Sequence, residues 1–158
     1  MPPGRLARLR DFNYTGIHRY HVRAGTWNRA KHFEDEAIVR LVRDQLVQFA
    51  PEHGFAVDAY CFMPDHAHLL LAGTSEHAVL TMFVAAWKQR TGYEFARRAR
   101  RAGIHSTRLW QPTYFDRVLR DDEASSTAAL YIMGNPVRAG LTAAVGGYPH
   151  AWCRYQLE

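Results

Sequence analysis

The stretch from Phe55 to Ala72 constrains the fold of this chain more than any other: FAVDAYCF, then MPD, then HAHLLLA. Valine and aromatic residues favour extended backbone, and Met63 to Asp65 supplies a turn, so the two runs pair as a hairpin. Side chains alternate along a strand, which puts His66 and His68 on one face and Ala67, Leu69 and Leu71 on the other. The apolar set needs cover, and the flanking sequence supplies it.

From Glu34 to Ala50, Ile38, Leu41, Val42, Leu46 and Phe49 recur at helical spacing, and Gly54 lies just beyond the stop. Ser75 is placed to cap a second helix, whose apolar stripe holds Val79, Leu80, Phe83, Val84 and Trp87. That helix is expected to break near Gly92 and to end before Gly103. Ile17–Trp27 and Thr113–Leu119 suit strands. Asp121 or Asp122 would cap a final helix that Pro136 stops near Asn135. The order β-α-β-β-α-β-α predicts an α+β fold, one mainly antiparallel sheet with packed helices, of ferredoxin-like type.

With 158 residues and no repeat or linker, the chain is expected to form a single domain, residues 1–14 making a loose arm. No apolar run reaches the ~18 residues of a membrane span, and the basic start lacks the core of a secretory signal. A cytoplasmic protein is expected, with Cys61 and Cys153 reduced. The net charge of +5 is uneven. Lys88, Arg90, Arg97, Arg98, Arg100, Arg101 and Arg108 stand against Glu94 alone. Such a strip suits a phosphate backbone, because neutralised phosphates release counterions, though a solvated helix face has the same composition.

Two imidazoles on one strand face can place two nitrogens on one divalent ion; the other reading is a pair of ordinary strand histidines. No cysteine or third histidine lies nearby in sequence, so oxygen partners, and with them Mg²⁺ or Mn²⁺, are favoured over Zn²⁺. Tyr131 and Asn135 are four residues apart and share a helix face, with Thr127 one turn earlier. A phenolate can attack a phosphate, and an amide oxygen is a hard metal ligand. A packing tyrosine and a helix-end asparagine explain the same residues.

In order along the chain, YHVRAGTWNR, MPDHAHLLL, LWQPTYFDRVLR and YIMGNPVRAGL resemble the HUH single-strand transposases, specifically the REP-associated tyrosine transposases. The resemblance runs from about Tyr20 to about Trp152. It implies that His66 and His68 hold a divalent metal, Mg²⁺ or Mn²⁺, with Asn135 as third ligand and Tyr131 as nucleophile. It also implies a substrate of single-stranded DNA beside imperfect palindromic, REP-like hairpins. Cleavage would leave a 5′-phosphotyrosine and a free 3′-hydroxyl, which can rejoin strands without ATP or water. Relatives occur as monomers and as homodimers.

On this reading the basic strip follows the backbone, and Trp27, Trp87, Trp110, Tyr114 or Phe115 could stack bases, Trp87 being better suited to the core. Gly134 departs from the pattern, where a bulkier residue is usual, and is expected to loosen the helix end around Asn135. A domesticated hairpin-binding protein and a nuclease using water remain as rivals. A nucleotide hydrolase built on strand histidines is disfavoured, because Leu70 stands where that pattern places a third histidine.

Overall fold

The computed structural model describes residues 12–105 and 107–157. Its strands are β1 (Arg19–Gly25), β2 (Phe55–Met63), β3 (His66–Gly73), β4 (Phe115–Val118) and β5 (Ala151–Cys153). Its helices are α1 (Glu36–Glu52), α2 (Leu80–Arg101), α3 (Ser125–Met133) and the single turn α4 (Asn135–Arg138). Two short 3-10 turns, Trp27–Arg29 and His32–Glu34, lead into α1. The strands form one sheet in the order β4-β1-β3-β2-β5, and every neighbouring pair is antiparallel. The architecture is the α+β sheet with packed helices expected from the sequence.

β3 is the central strand, and both of its faces are covered, which explains three consecutive buried leucines, Leu69 to Leu71. On one face Tyr20, Val22, Ala67, Leu69 and Leu71 pack against Val42 and Leu46 of α1 and Phe83, Val84 and Trp87 of α2. The Trp87 indole donates to Val42 O at 3.1 Å, tying the two helices together. On the opposite face Ala59, Cys61, Met63 and Leu70 pack against Ala128, Ala129 and Ile132 of α3. β2 serves both layers because it carries a bulge: Val57 pairs with Leu71 and Ala59 with Leu70, leaving Asp58 as the extra residue. The bulge is braced by Arg154, whose N–H donates to Asp58 O at 2.9 Å and whose Nε lies 3.2 Å from the Asp58 carboxylate.

Several boundaries differ from expectation for identifiable reasons. α2 begins at Leu80 because Val79 bridges to Thr15, and Leu80 N donates to Tyr14 O at 3.0 Å. Ser75 instead accepts from His77 N, closing a turn ahead of the helix. No break occurs at Gly92: its ~1 kcal/mol penalty is outweighed by the buried Thr91 and Phe95 around it. α3 starts after Ala124, without an aspartate cap, and Pro136 opens α4 rather than ending the helical run. β5, three residues long, gives too little pattern to be recognised in sequence. Most of the expected N-terminal arm lies outside the described residues, but Phe12 and Tyr14 pack on the core. Among the described residues no helix is long and apolar enough to cross a membrane.

Ile132 is fully buried and is the largest α3 side chain in the second cluster. Ile132→Ala is expected to lower unfolding stability by about 2–4 kcal/mol in urea titrations. A loss below about 1 kcal/mol would show that α3 is held by something other than this contact.

Candidate active site

The sheet face that carries α3 is only partly covered. α3 lies over β2, β3 and β5, and its edge and the segment before it reach only Arg19, His21 and Arg117 of the β1–β4 part of this face. By alternation this face receives His66 and His68 from β3, and Arg19, His21, Arg23 and Gly25 from β1. Register places Arg23 opposite His68 and Gly25 opposite His66. The β2–β3 turn that presents His66 is clamped from outside: Thr26 N donates to Asp65 O at 2.9 Å and Phe33 N to Pro64 O at 3.0 Å.

The imidazoles form a chain. His66 Nδ1 lies 2.6 Å from Asp65 Oδ1, His66 Nε2 lies 3.1 Å from His68 Nε2, and His68 Nδ1 lies 2.9 Å from His21 Nε2. One set of neutral tautomers satisfies every contact: His21 Nε2–H donates to His68, His68 Nε2–H to His66, and His66 Nδ1–H to Asp65. Electrostatics agree that the rings are neutral. Burial, then the nearby charges of Arg117 and Arg23, lowers the His21 pKa to about 4. Burial also holds His68 well below the usual histidine range, aided by His21, His66, Arg23 and Arg138. His66 is lowered by burial despite its Asp65 contact. Burial would raise Asp65, but His66 and Arg29 outweigh it and keep the carboxylate charged.

Neutral imidazoles carry the lone pairs that a cation needs. The two Nε2 atoms converge, while each Nδ1 meets an orienting partner, Asp65 for His66 and His21 for His68. For His66 that is the arrangement by which outer groups fix ligand tautomers at metal centres; for His68 it requires the Nε2 proton to move to Nδ1, where His21 Nε2 can accept it. Among the described residues no third His, Cys, Asp or Glu completes a metal cluster with the pair.

Tyr131 is 57% exposed on α3, next to the buried Ile132, and its ring packs edge-on to His21 with centroids 6.3 Å apart. The tyrosine is therefore one imidazole away from His68 within the same chain. Arg138, from α4, folds back over it: the guanidinium lies 4.3 Å from the Tyr131 ring centre, and Nη2 donates to Tyr131 O at 2.6 Å and to Asn135 Oδ1 at 2.7 Å. The Asn135 oxygen is thus engaged by Arg138, while its Nδ2 is buried without a hydrogen-bond partner. Gly134 leaves room for this placement: a Cβ there would stand 2.7 Å from Arg138 Nη1 and would shift the guanidinium. Gly134 caps the end of α3, between it and α4, and leaves room for the arginine that ties Tyr131 to Asn135.

The basic strip lies elsewhere. α2 packs on the opposite sheet face, so Arg90, Arg97, Arg98, Arg100 and Arg101 are carried by the other layer. Lys88 is used internally, donating to Gln111 O at 2.7 Å and Thr113 O at 3.2 Å. Glu94 contacts Arg90 and Arg97, and the Arg108 guanidinium stacks 4.2 Å from the Trp27 ring centre. The histidines' face carries Arg23 and Arg138, with Arg29 at its edge, and Arg19 and Arg117, which are engaged by the Arg120–Ser125 segment. Of the aromatic candidates, Trp87 and Trp110 are buried and Tyr114 packs on the core; Trp27 and Phe115 are half-buried outside both clusters. Sequence reasoning missed His21 and Arg138. The signal for His21 was available, because in RYHVR it alternates with the core residues Tyr20 and Val22.

The model of the family described as "Transposase IS200 like" matches residues 15–135. The chain belongs to this transposase family. A Haemophilus influenzae protein provisionally named a REP-associated tyrosine transposase is 24% identical over 147 residues, covering 90% of this chain and 82% of its own. A REP-associated tyrosine transposase solved bound to a REP hairpin shares the fold with a TM-score of 0.71 at 16% identity, over 92% of this chain and 82% of that one. A protein of Deinococcus radiodurans R1, provisionally described as a transposase, superposes with a TM-score of 0.54 at 27% identity, over 88% of this chain and all of that one.

In the metal-free protein the His21 imidazole is expected to titrate near pH 4, as read by NMR of its ring carbons and nitrogens. Because its folded pKa lies below the unfolded ~6.5, its contribution is present at neutral pH and is lost as pH falls from about 6.5 to about 4. A midpoint near 6.5 would mean that the ring is not held in the buried chain.

Proposed function

We propose that this transposase cleaves and rejoins single-stranded DNA beside hairpin sequences through a 5′-phosphotyrosine on Tyr131, with a divalent cation at His66 and His68. The observation that carries the reading is the continuous contact from Asp65 through His66, His68 and His21 to the exposed Tyr131. It supports Tyr131 as the nucleophile, one imidazole away from a pair whose outer nitrogens are already engaged. Hairpin DNA as substrate is supported by the fold shared with a relative bound to a REP hairpin.

The Tyr131 hydroxyl oxygen attacks the scissile phosphorus and loses its proton; the P–O3′ bond breaks and the departing 3′ oxygen takes up a proton. Attack of a 3′-hydroxyl on the phosphotyrosine reverses the exchange, so the number of phosphodiester bonds is conserved. Mg²⁺ or Mn²⁺, when bound, supplies charge to offset what develops on the phosphate. His66 and His68 would hold that cation. Asp65 keeps His66 in the required tautomer, and His21 keeps His68 so once the His68 proton has moved to Nδ1. Asn135, whose Oδ1 now accepts from Arg138, would be the third ligand. Arg138 stays over the tyrosine ring and keeps the phenol beside the imidazoles. The contact of Tyr131 with His21 supports a tyrosine that acts with its own chain's histidines. The arginines of α2 are assigned to more distant phosphates.

The deciding experiment incubates the protein with a labelled single-stranded hairpin oligonucleotide and Mn²⁺ and looks for an adduct that survives denaturation. The adduct is expected with the wild type, absent in Tyr131→Phe and retained in Tyr93→Phe. His66→Ala and His68→Ala should slow its formation at least about 100-fold. Cleavage without an adduct would point to water as nucleophile, and binding without cleavage to a domesticated binder. In parallel, His21→Leu is expected to weaken Mn²⁺ binding about 10- to 100-fold, measured by electron paramagnetic resonance titration. Unchanged affinity would remove His21 from the site.

A further inference from the structure

Beside His66 the open sheet face deepens into a cavity of about 180 Å³ whose walls come from four separate segments. Phe115 forms one wall. It sits opposite Arg23 in the β1–β4 pairing, is half-buried, and belongs to neither apolar cluster, so its ring is not committed to the core. Gln111 forms another. Its N–H donates to Gly25 O at 3.0 Å, and its side chain lies directly over that glycine: a Cβ at position 25 would stand 3.2 Å from the Gln111 carboxamide carbon and oxygen. Among the described residues this carboxamide has no hydrogen-bond partner, which leaves one donor and one acceptor group to the cavity.

The rim is cationic. Arg23 lies on one side, and Arg29 on the other with its Nε 3.2 Å from Asp65 Oδ2. Arg29 reaches that position because Asn28 and Arg29 both adopt left-handed backbone, φ 54° at each, which non-glycine residues take up only at a cost. The Thr26 hydroxyl holds the turn by donating to Ala30 O at 2.7 Å. A strained turn that carries an arginine to the lip of a small cavity is the kind of feature that accompanies ligand binding.

We propose that this cavity is a base pocket, which takes one nucleobase of the DNA strand adjoining the phosphate at His66, stacked on Phe115 and read along its edge by Gln111. The proposal rests on the single-strand cleavage reading for the position of the strand, but the pocket is argued from its own residues. An aromatic face suits any base, an amide discriminates among bases by matching donors and acceptors, and flanking guanidiniums suit the phosphates on either side. The volume fits a single planar base, so the selectivity falls on one position of the strand.

The test scans single abasic positions through the unpaired flank of a hairpin oligonucleotide, with fluorescence anisotropy for affinity and the denaturation-resistant adduct as a separate readout. One position is expected to lose about tenfold in affinity when its base is removed. Phe115→Ala and the volume-keeping Phe115→Leu should abolish that difference, while Gln111→Ala should keep it and flatten the preference among the four bases there. Wild-type binding with no sensitive position, or sensitivity unchanged in both the Phe115 and Gln111 variants, overturns the pocket. An adduct formed without base sensitivity overturns the pocket and leaves the Tyr131 reading standing. Sensitivity with the expected variant effects but no adduct supports the pocket and removes Tyr131 as nucleophile. Failure to bind any of these oligonucleotides overturns both.

Discussion

Everything at this site depends on the alternation of side chains along one central strand. β3 is covered on both faces, so Ala67, Leu69 and Leu71 are committed to the α1–α2 layer and Leu70 to the α3 layer. A strand buried in that way cannot shift its register by one residue without exposing leucines and burying both imidazoles in the α1–α2 core. The position of His66 and His68 is therefore set by hydrophobic burial and not by any contact the histidines make themselves. The β2 bulge at Asp58 has the same consequence one strand away. It turns Ala59, Cys61 and Met63 towards α3 while Phe55, Val57, Tyr60 and Phe62 stay with the other core, and so prepares the surface on which the tyrosine helix docks.

Burial then decides the chemistry of the imidazoles. Three histidines and several arginines share one face, and charged imidazolium rings there would repel each other and the guanidinium groups. The neutral rings avoid that cost and remain competent to bind a cation. Asp65 does not reverse the balance: its charge raises His66, but burial is the larger influence on the ring. The carboxylate is more usefully described as choosing which nitrogen of His66 carries the proton. His21 can do the corresponding work for His68, without adding a negative charge, once it accepts from His68 Nδ1 instead of donating to it. A site oriented by one carboxylate and one neutral ring keeps more net positive charge for a polyanionic strand than one oriented by two carboxylates.

The sequence was most informative where a single physical rule acts alone. Strand alternation is enough to place His66 and His68 together, and the 3.6-residue period is enough to find α1 and to set Tyr131 on the face of Asn135. It was least informative where several segments meet. β5 is three residues long, and the start of α2 is fixed by backbone pairing with Thr15, which leaves no trace in local composition. The basic strip was legible as charge, but its side of the sheet was not, because the layer to which α2 belongs is decided by its apolar stripe and by chain crossing. Ser75 and the Asp121–Asp122 pair show the limit of capping rules: a suitable residue stands near each helix, yet the first turn begins elsewhere because other backbone partners are available.

The end of α3 joins these threads. A glycine followed by Asn-Pro reads as a helix stop, and the expectation from sequence was a loosened terminus. Instead Gly134 keeps helical dihedrals, α4 opens directly behind it, and the missing Cβ leaves the space that Arg138 occupies. The guanidinium then binds the Tyr131 carbonyl, the Asn135 oxygen and the tyrosine ring at once. This makes Tyr131 and Asn135 interdependent. A cation at Asn135 would compete with Arg138 for the amide oxygen, while the arginine's carbonyl contact and its place over the Tyr131 ring do not depend on that oxygen. A glycine that looks like a helix break in sequence leaves room, in three dimensions, for the arginine that ties the proposed nucleophile to the proposed third ligand.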